Sequence, residues 1–312
     1  MFDPMSRRAG VSILVDRLQE VLSDRYQFER ELGHGGVAVV LLARDVRHER
    51  PVAIKVFRSD VGDATAAERF QREIRLLARL QHPHILPLYD SGTAGDTSYF
   101  VTAFVEGETL RERLRRESEL PIDEAVRLAI EVADALEFAH QHDVIHRDIK
   151  PENILLHDGH AVVADFGIAR MMRRRSAEWT TAAGMAVGSP AYMSPEQASG
   201  DREIDGRTDI YSLASVLYEM LAGRPPFTGP SAHSVIAQRM TGVARPVKSV
   251  RSTVPPALDA TVAKALERVP GDRYATAADF GAALTRSLPG SGGPERRRWW
   301  PFARPASHRS DA

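Results

Sequence analysis

The sequence predicts an α+β fold: a smaller β-rich part with one key helix, then a larger, mainly α-helical part. Three observations lead there. Strand-type runs crowd the first third of the chain, at 26–32, 37–44, 52–56 and 99–105. One helical pattern interrupts them, over 64–81, with Phe70, Ile74, Leu77 and Leu80 on one face. Further on the period is helical, with Val126, Ile130, Ala133 and Leu136 inward along 122–142 and a later helix that opens at Asp209 and stops at Gly223-Arg224-Pro225.

Composition bounds the rest. The chain has 312 residues, enough for roughly two domain-sized units, and 43% apolar with 27% charged residues suits a globular protein with a sizeable core. A formal charge of −1 gives no general reason to bind nucleic acid or an anionic membrane. The absence of cysteine excludes disulfides, thiolate catalysis and Cys-based zinc sites, and fits a cytoplasmic location. No apolar run approaches the ~20 residues of a membrane span, and Met1-Phe2-Asp3-Pro4 lacks the layout of a secretory signal.

Residues 13–23 form a short helical pattern. The strands at 26–32 and 37–44 are joined by Gly33-His34-Gly35-Gly36, whose glycines let a backbone approach phosphate oxygens; a plain hairpin turn explains them equally well. Lys55 lies on the next strand, where alternation alone would make it an ordinary exposed lysine. Glu73 sits inside the 64–81 helix among Arg69, Arg72 and Arg75. His82-Pro83-His84 has no evident third ligand and a proline that enforces a turn, so it is not read as a metal site. Tyr99-Phe100-Val101-Thr102-Ala103-Phe104-Val105-Glu106-Gly107 is an apolar strand running into a turn. Strands at 154–156 and 161–164 flank Asp158-Gly159, a good hairpin turn, with Asn153 at one end and Asp165 at the other.

The chemistry concentrates in His146-Arg147-Asp148-Ile149-Lys150-Pro151-Glu152-Asn153 and Asp165-Phe166-Gly167. Phosphoryl transfer needs few groups but needs them fixed in space. A carboxylate at Asp148 can orient and deprotonate a hydroxyl, and Asn153 and Asp165 offer the hard oxygens that Mg²⁺ prefers. These two runs resemble the catalytic and metal-binding loops of protein kinases. The resemblance spans roughly 26–288 and is strongest to the bacterial, eukaryotic-like Ser/Thr protein kinases. It implies a two-lobed fold, with an N-terminal extension over 1–25, an N-lobe over 26–105, a C-lobe over 106–288 and a tail over 289–312.

The remaining roles follow from that resemblance. Gly33, Gly35 and Val40 match the Gly-rich loop, with Leu32, His34 and Gly36 beside them, and Ala38 stands where a third glycine is usual. Lys55, in Val52-Ala53-Ile54-Lys55, would contact the α- and β-phosphates with Glu73 as its ion-pair partner. Thr102 would be the gatekeeper, Ala103 and Val105 backbone contacts to adenine, Glu106 a ribose neighbour, and Ala53 and Leu155 part of the ATP site. The cofactors implied are ATP and Mg²⁺, with Mn²⁺ as an alternative ion. Lys150, two residues after Asp148, points to Ser/Thr acceptors on protein substrates, with a pseudokinase scaffold or a small-molecule kinase as the alternatives.

Between Asp165 and Glu196 lies the counterpart of an activation loop, with Thr180 and Thr181 as candidate phosphosites and Arg147 as the arginine such a phosphate would engage. Gly188-Ser189-Pro190-Ala191-Tyr192-Met193-Ser194-Pro195-Glu196 resembles the G-T-x-x-Y-x-A-P-E region, with Ser189 for Thr and Ser194 for Ala. Asp209 would brace the catalytic loop through its backbone, and Arg273 would pair with Glu196. The tail from Pro289 is rich in Gly, Pro, Ser and Arg and reads as disordered. Its Arg296-Arg297-Arg298-Trp299-Trp300 suits membrane or partner docking, or loose packing on the domain. A kinase dimer is a further partner to expect.

Overall fold

The computed structural model describes residues 18–34, 38–57, 74–94, 97–166, 190–201 and 203–288. Five antiparallel strands come first: β1 Tyr26–His34, β2 Ala38–Asp45, β3 Arg50–Phe57, β4 Leu88–Ala94 and β5 Thr97–Ala103, in the order β1-β2-β3-β5-β4. On β3 the side chains alternate. Val52, Ile54 and Val56 are fully buried in a cluster with Val39, Leu41, Ala43, Tyr99 and Val101, sealed by Leu18 and Leu22. Period-two geometry therefore turns Ala53 and Lys55 to the other face. Lys55 is centred there, paired through the backbone with Val40 on one side and Phe100 on the other.

The second lobe is helical: α1 Leu110–Glu117, α2 Ile122–His140, α3 Pro195–Ser199, α4 Arg207–Ala222, α5 Ala232–Thr241, α6 Pro256–Ala265 and α7 Ala277–Ser287. Helix α2 stops two residues short of the expected His142. It carries Asp123 and Glu124 in its first turn and His140 in its last, the arrangement its dipole favours. Every residue of α4 from Thr208 to Leu221 is buried, so this helix is the axis of the lobe, and Gly223 at φ 71° ends it in the left-handed conformation. The small strands β6 Glu108–Thr109, β7 Ile154–His157 and β8 His160–Val163 form a separate sheet in that order.

The two lobes are stitched where Val163 exchanges backbone hydrogen bonds with His84 and Leu86, at 2.8 and 2.9 Å. His84 donates Nδ1–H to the Ala161 carbonyl, and the His84 N–H donates to His82 Nδ1. Both histidines thus serve this junction. Of the 64–81 helix, the structure describes the stretch from Ile74, which is helical over 74–77; Ile74 and Leu80 are buried. Among the described residues no helix is long and apolar enough to cross a membrane.

Candidate active site

Helix α2 feeds straight into the 146–153 loop, and Asp209 of α4 holds that loop from beneath. Asp209 is fully buried and accepts the N–H of His146 at 2.8 Å and of Arg147 at 2.7 Å. His140 Nε2–H donates to the same carboxylate at 2.8 Å. A Cβ on residue 206 would lie 2.6 Å from the His140 ring, so Gly206 gives the imidazole its room. The ring of His146, also fully buried, ties the loop to the chain that leaves β8. Nε2–H donates to the Ala164 carbonyl at 2.8 Å, which leaves Nδ1 to accept the Asp148 N–H at 3.2 Å. Phe166 packs on that imidazole, ring centroids 4.6 Å apart.

With the backbone so held, the side chains converge. Asp148 Oδ2 meets Lys150 Nζ at 2.5 Å and Asn153 Nδ2 at 3.1 Å, and Asn153 Nδ2 also donates to the Asp148 carbonyl at 2.8 Å. The 3₁₀ turn Pro151–Asn153 presents Asn153. The β7–β8 hairpin, turned at Asp158 (φ 49°) and Gly159 (φ 80°), returns the chain in register and brings Asp165 back beside it. Asp165 has φ 63° and Arg147 φ 68°. Non-glycine residues in the left-handed region are uncommon and cost energy, so the surrounding hydrogen bonds must hold these two.

Lys55 crosses from β3 to place Nζ 2.5 Å from Asp165 Oδ2. Burial alone would raise the Asp165 pKa. The Lys55 ammonium, with Lys150, outweighs it and holds this carboxyl below its ordinary value. The expected partner of Lys55, Glu73, lies outside the described residues, as do Gly35, Gly36, Thr180 and Thr181. Leu32 and Gly33 are partly exposed on β1, and His34 ends that strand opposite Val39. Among the described residues a Cβ at Gly33 would meet nothing within 4 Å.

Thr102 is buried on β5 and its Oγ1 donates to the Ala53 carbonyl at 3.5 Å; the Ala103 N–H is taken by the Pro87 carbonyl at 3.2 Å. Val105 is partly exposed and makes no backbone hydrogen bond to another described residue, which suits it to contact a ligand edge. Leu155 of β7 is partly exposed between the buried Ile154 and Leu156.

The 190–197 segment flanks this cleft. Arg273 pairs with Glu196 through both terminal nitrogens at 2.8 Å and donates to the carbonyls of Arg207, Glu267 and Arg268, so all five of its N–H groups are used. Several contacts here go beyond what the sequence shows. Ser194 caps α3 in a reciprocal capping box with Gln197 and meets Thr208 Oγ1 at 2.5 Å, a job that alanine cannot do. Gln197 Nε2 donates to the Arg147 carbonyl at 2.7 Å. Tyr192 Oη accepts from Arg111 and donates to Glu219 at 2.5 Å, while Arg111 Nε reaches Glu152 at 2.8 Å. The S-x-x-Q spacing was a readable cap signal; the other contacts join distant residues and carry no local pattern.

Comparison with known proteins bears on the same segment. A family model described as protein kinase domain matches residues 26–280. The chain is 43% identical over 271 residues to the "Serine/threonine-protein kinase PknB" of Mycobacterium leprae, covering 85% of this chain and 43% of that protein. The protein of the same name from Mycobacterium tuberculosis strain H37Rv gives the same identity and coverage. A "Probable serine/threonine-protein kinase PknB" of Bifidobacterium longum is 40% identical over 267 residues, 82% of this chain and 38% of that one. The chain thus spans less than half the length of these curated relatives. A cleft built from the 146–153 loop, Lys55 and Asp165, inside a segment matched almost from end to end, makes this chain a member of the protein kinase domain family.

Proposed function

We propose that the chain is a Ser/Thr protein kinase that moves the γ-phosphoryl group of ATP to hydroxyls of protein Ser and Thr residues. One observation carries the reading: two lysine–carboxylate pairs, Lys55–Asp165 and Lys150–Asp148, each at 2.5 Å, lie at the two ends of one hairpin, with Asn153 bonded to Asp148. The names of the relatives support the Ser/Thr acceptor class. An ATP-consuming reaction puts the domain in the cytoplasm.

Asp148 accepts the proton of the acceptor hydroxyl and points its oxygen at the phosphorus. Lys150 offsets negative charge that develops beside it, and Lys55 aligns the α- and β-phosphates. Leu32, Gly33 and Val40 cover the nucleotide together with the glycines that follow. Ala53, Thr102 and Leu155 line the adenine pocket, and the backbone of Ala103 and Val105 reads the adenine edge. The donor set fits a hard cation. Among the described residues Asn153 spends its Nδ2 on Asp148, which leaves Oδ1 to a ligand, and Asp165 commits only Oδ2, to Lys55. Asp165 and Asn153 would therefore hold Mg²⁺, or Mn²⁺ in its place. When bound, such an ion neutralises charge on the phosphate oxygens.

The test is transfer of labelled phosphate from ATP to a generic basic protein, with Asp148→Asn as control. The expected fall is about 10²–10⁴-fold with nucleotide binding retained. Undiminished turnover by the variant would remove Asp148 from its role. Label appearing in metabolites and never in protein would point to a small-molecule acceptor.

A further inference from the structure

Arg239 of α5 is 1% exposed, one of the largest fully buried side chains in the fold. Its Nη1 donates to the Pro190 carbonyl and its Nη2 to the Ala191 carbonyl at 2.8 Å. The guanidinium carbon lies 5.8 Å from the ring centroids of both Tyr211 and Phe227, and among the described residues Nε has no acceptor. Among the described residues no carboxylate pairs with it, whereas Arg273, on the same Tyr211 ring, is neutralised by Glu196. Burial presses its pKa downward.

A buried cation without a counter-charge is expensive, and a site that needed only volume would be filled better by methionine or leucine. What arginine supplies here, and an apolar residue does not, is a rigid fork to two consecutive carbonyls. Those carbonyls open the 190–197 segment, which is fastened on its other side to the catalytic loop. Gln197 holds the Arg147 carbonyl, next to Asp148, and Tyr192 reaches Glu152 through Arg111. An acceptor hydroxyl brought to Asp148 comes with flanking chain that must pass this segment.

We propose that Arg239 is a positioning residue for the phosphoacceptor: its guanidinium fixes the Pro190–Ala191 backbone against which the acceptor peptide lies. The proposal rests on the protein kinase reading above. It assigns to α5, through Arg239, a hold on the acceptor side of the cleft alone.

The experiment compares Arg239→Met and Arg239→Lys with the unaltered chain, by steady-state kinetics on a Ser-containing peptide and by amide hydrogen exchange over 190–197. Arg239→Met should lower kcat/KM for peptide by about 10²-fold, chiefly through peptide KM. The KM for ATP should stay within about twofold. Exchange over 190–193 should quicken, and Arg239→Lys should recover part of both effects. Unchanged exchange, or quickened exchange with an unchanged peptide KM, overturns the proposal, as does an equal rise in both KM values. If the unaltered chain transfers no phosphate to any protein, the kinase reading fails and the acceptor role with it. The exchange data then still report whether the clamp exists.

Discussion

Asp209 Oδ1 accepts the Arg147 N–H at 2.7 Å, and Arg147 is one of the few non-glycine residues with positive φ, at 68°. A residue buried in the axial helix thus holds the backbone immediately before Asp148 in a conformation it would otherwise leave. Asp209→Ala strands the buried His146 N–H, the half-buried Arg147 N–H and His140, and should cost about 3–5 kcal/mol. Asp209→Asn keeps the volume and one acceptor and should cost less. Urea unfolding measures both. Phosphate transfer should fall with them, since a released Arg147 lets Asp148 wander; an Asp209→Ala protein with full stability and full activity would contradict the brace.

The same carboxylate makes stability depend on pH. Burial alone would lower the His140 pKa, but the Asp209 carboxylate outweighs it and raises the pKa above 6.5. Burial likewise would raise Asp209, yet His140 and the Arg147 N–H hold it below 3.8. A raised base contributes fully below 6.5 and loses that contribution as pH rises through its folded value. A depressed acid contributes above 3.8 and loses it as pH falls through its folded value. The pair therefore helps most between those limits. The stability gap between the unaltered chain and His140→Gln should be wider at pH 6 than at pH 8.5 by urea titration, and a gap that does not change with pH would rule this coupling out.

What the sequence disclosed follows from where the chemistry sits. Asp148, Lys150, Asn153 and Asp165 lie on one loop and one hairpin, so their spacing is dictated locally and is legible in the letters. The strands were legible for the same reason: Val52, Ile54 and Val56 alternate with Ala53 and Lys55, and the structure buries the first set. Long-range partners were not. Arg111 meets Glu219 across 108 residues and Arg239 meets Pro190 across 49, with no periodicity to mark either. Asp209 and Arg273 are legible only through family resemblance, because nothing in the residues around either, one on α4 and one in the turn before α7, marks a buried charge.

Arg273 and Glu196 offer a direct contrast with surface ion pairs. Their side chains are 0% and 8% exposed, against 35% and 54% for Arg207 and Asp205. Breaking an exposed pair costs about 0.2–1 kcal/mol, whereas removing one partner of a buried pair costs about 3–5. Arg273→Lys keeps the charge but loses the fork that serves Glu196 and three carbonyls at once. It should therefore behave nearly as badly as Arg273→Ala, while Asp205→Ala should be almost silent in a thermal melt. Full recovery by lysine would show that charge alone matters there.

Ser194 stands where the family pattern has alanine, and its cap on α3 gives the difference a measurable consequence. Ser194→Ala restores the family letter yet removes the reciprocal bonds with Gln197 and the contact with Thr208. The expected loss is about 1 kcal/mol. Because Gln197 also holds the Arg147 carbonyl, a modest rise in peptide KM should accompany it. A more stable Ser194→Ala protein would mean that the buried hydroxyl is a burden the fold tolerates for another reason.

A last prediction concerns Arg147 and control by phosphorylation. It lies beside Asp148, is fixed through its N–H by Asp209 and through its carbonyl by Gln197, and belongs to a loop that the fold holds rigid. A phosphate delivered by the segment that follows Asp165 would find there a cation whose backbone is already ordered, so little entropy is lost on pairing. Thr180 and Thr181 are the acceptors best placed in sequence to carry it. Autophosphorylation should therefore appear within 176–189 when the protein is incubated with ATP and Mg²⁺, and peptide mass spectrometry of the active chain beside Asp148→Asn detects it. Phosphate should be found on the active chain and absent from the variant, and Thr180→Ala with Thr181→Ala should lower transfer to an added protein. Equal phosphate on both chains, or none on either, would exclude this route to activation.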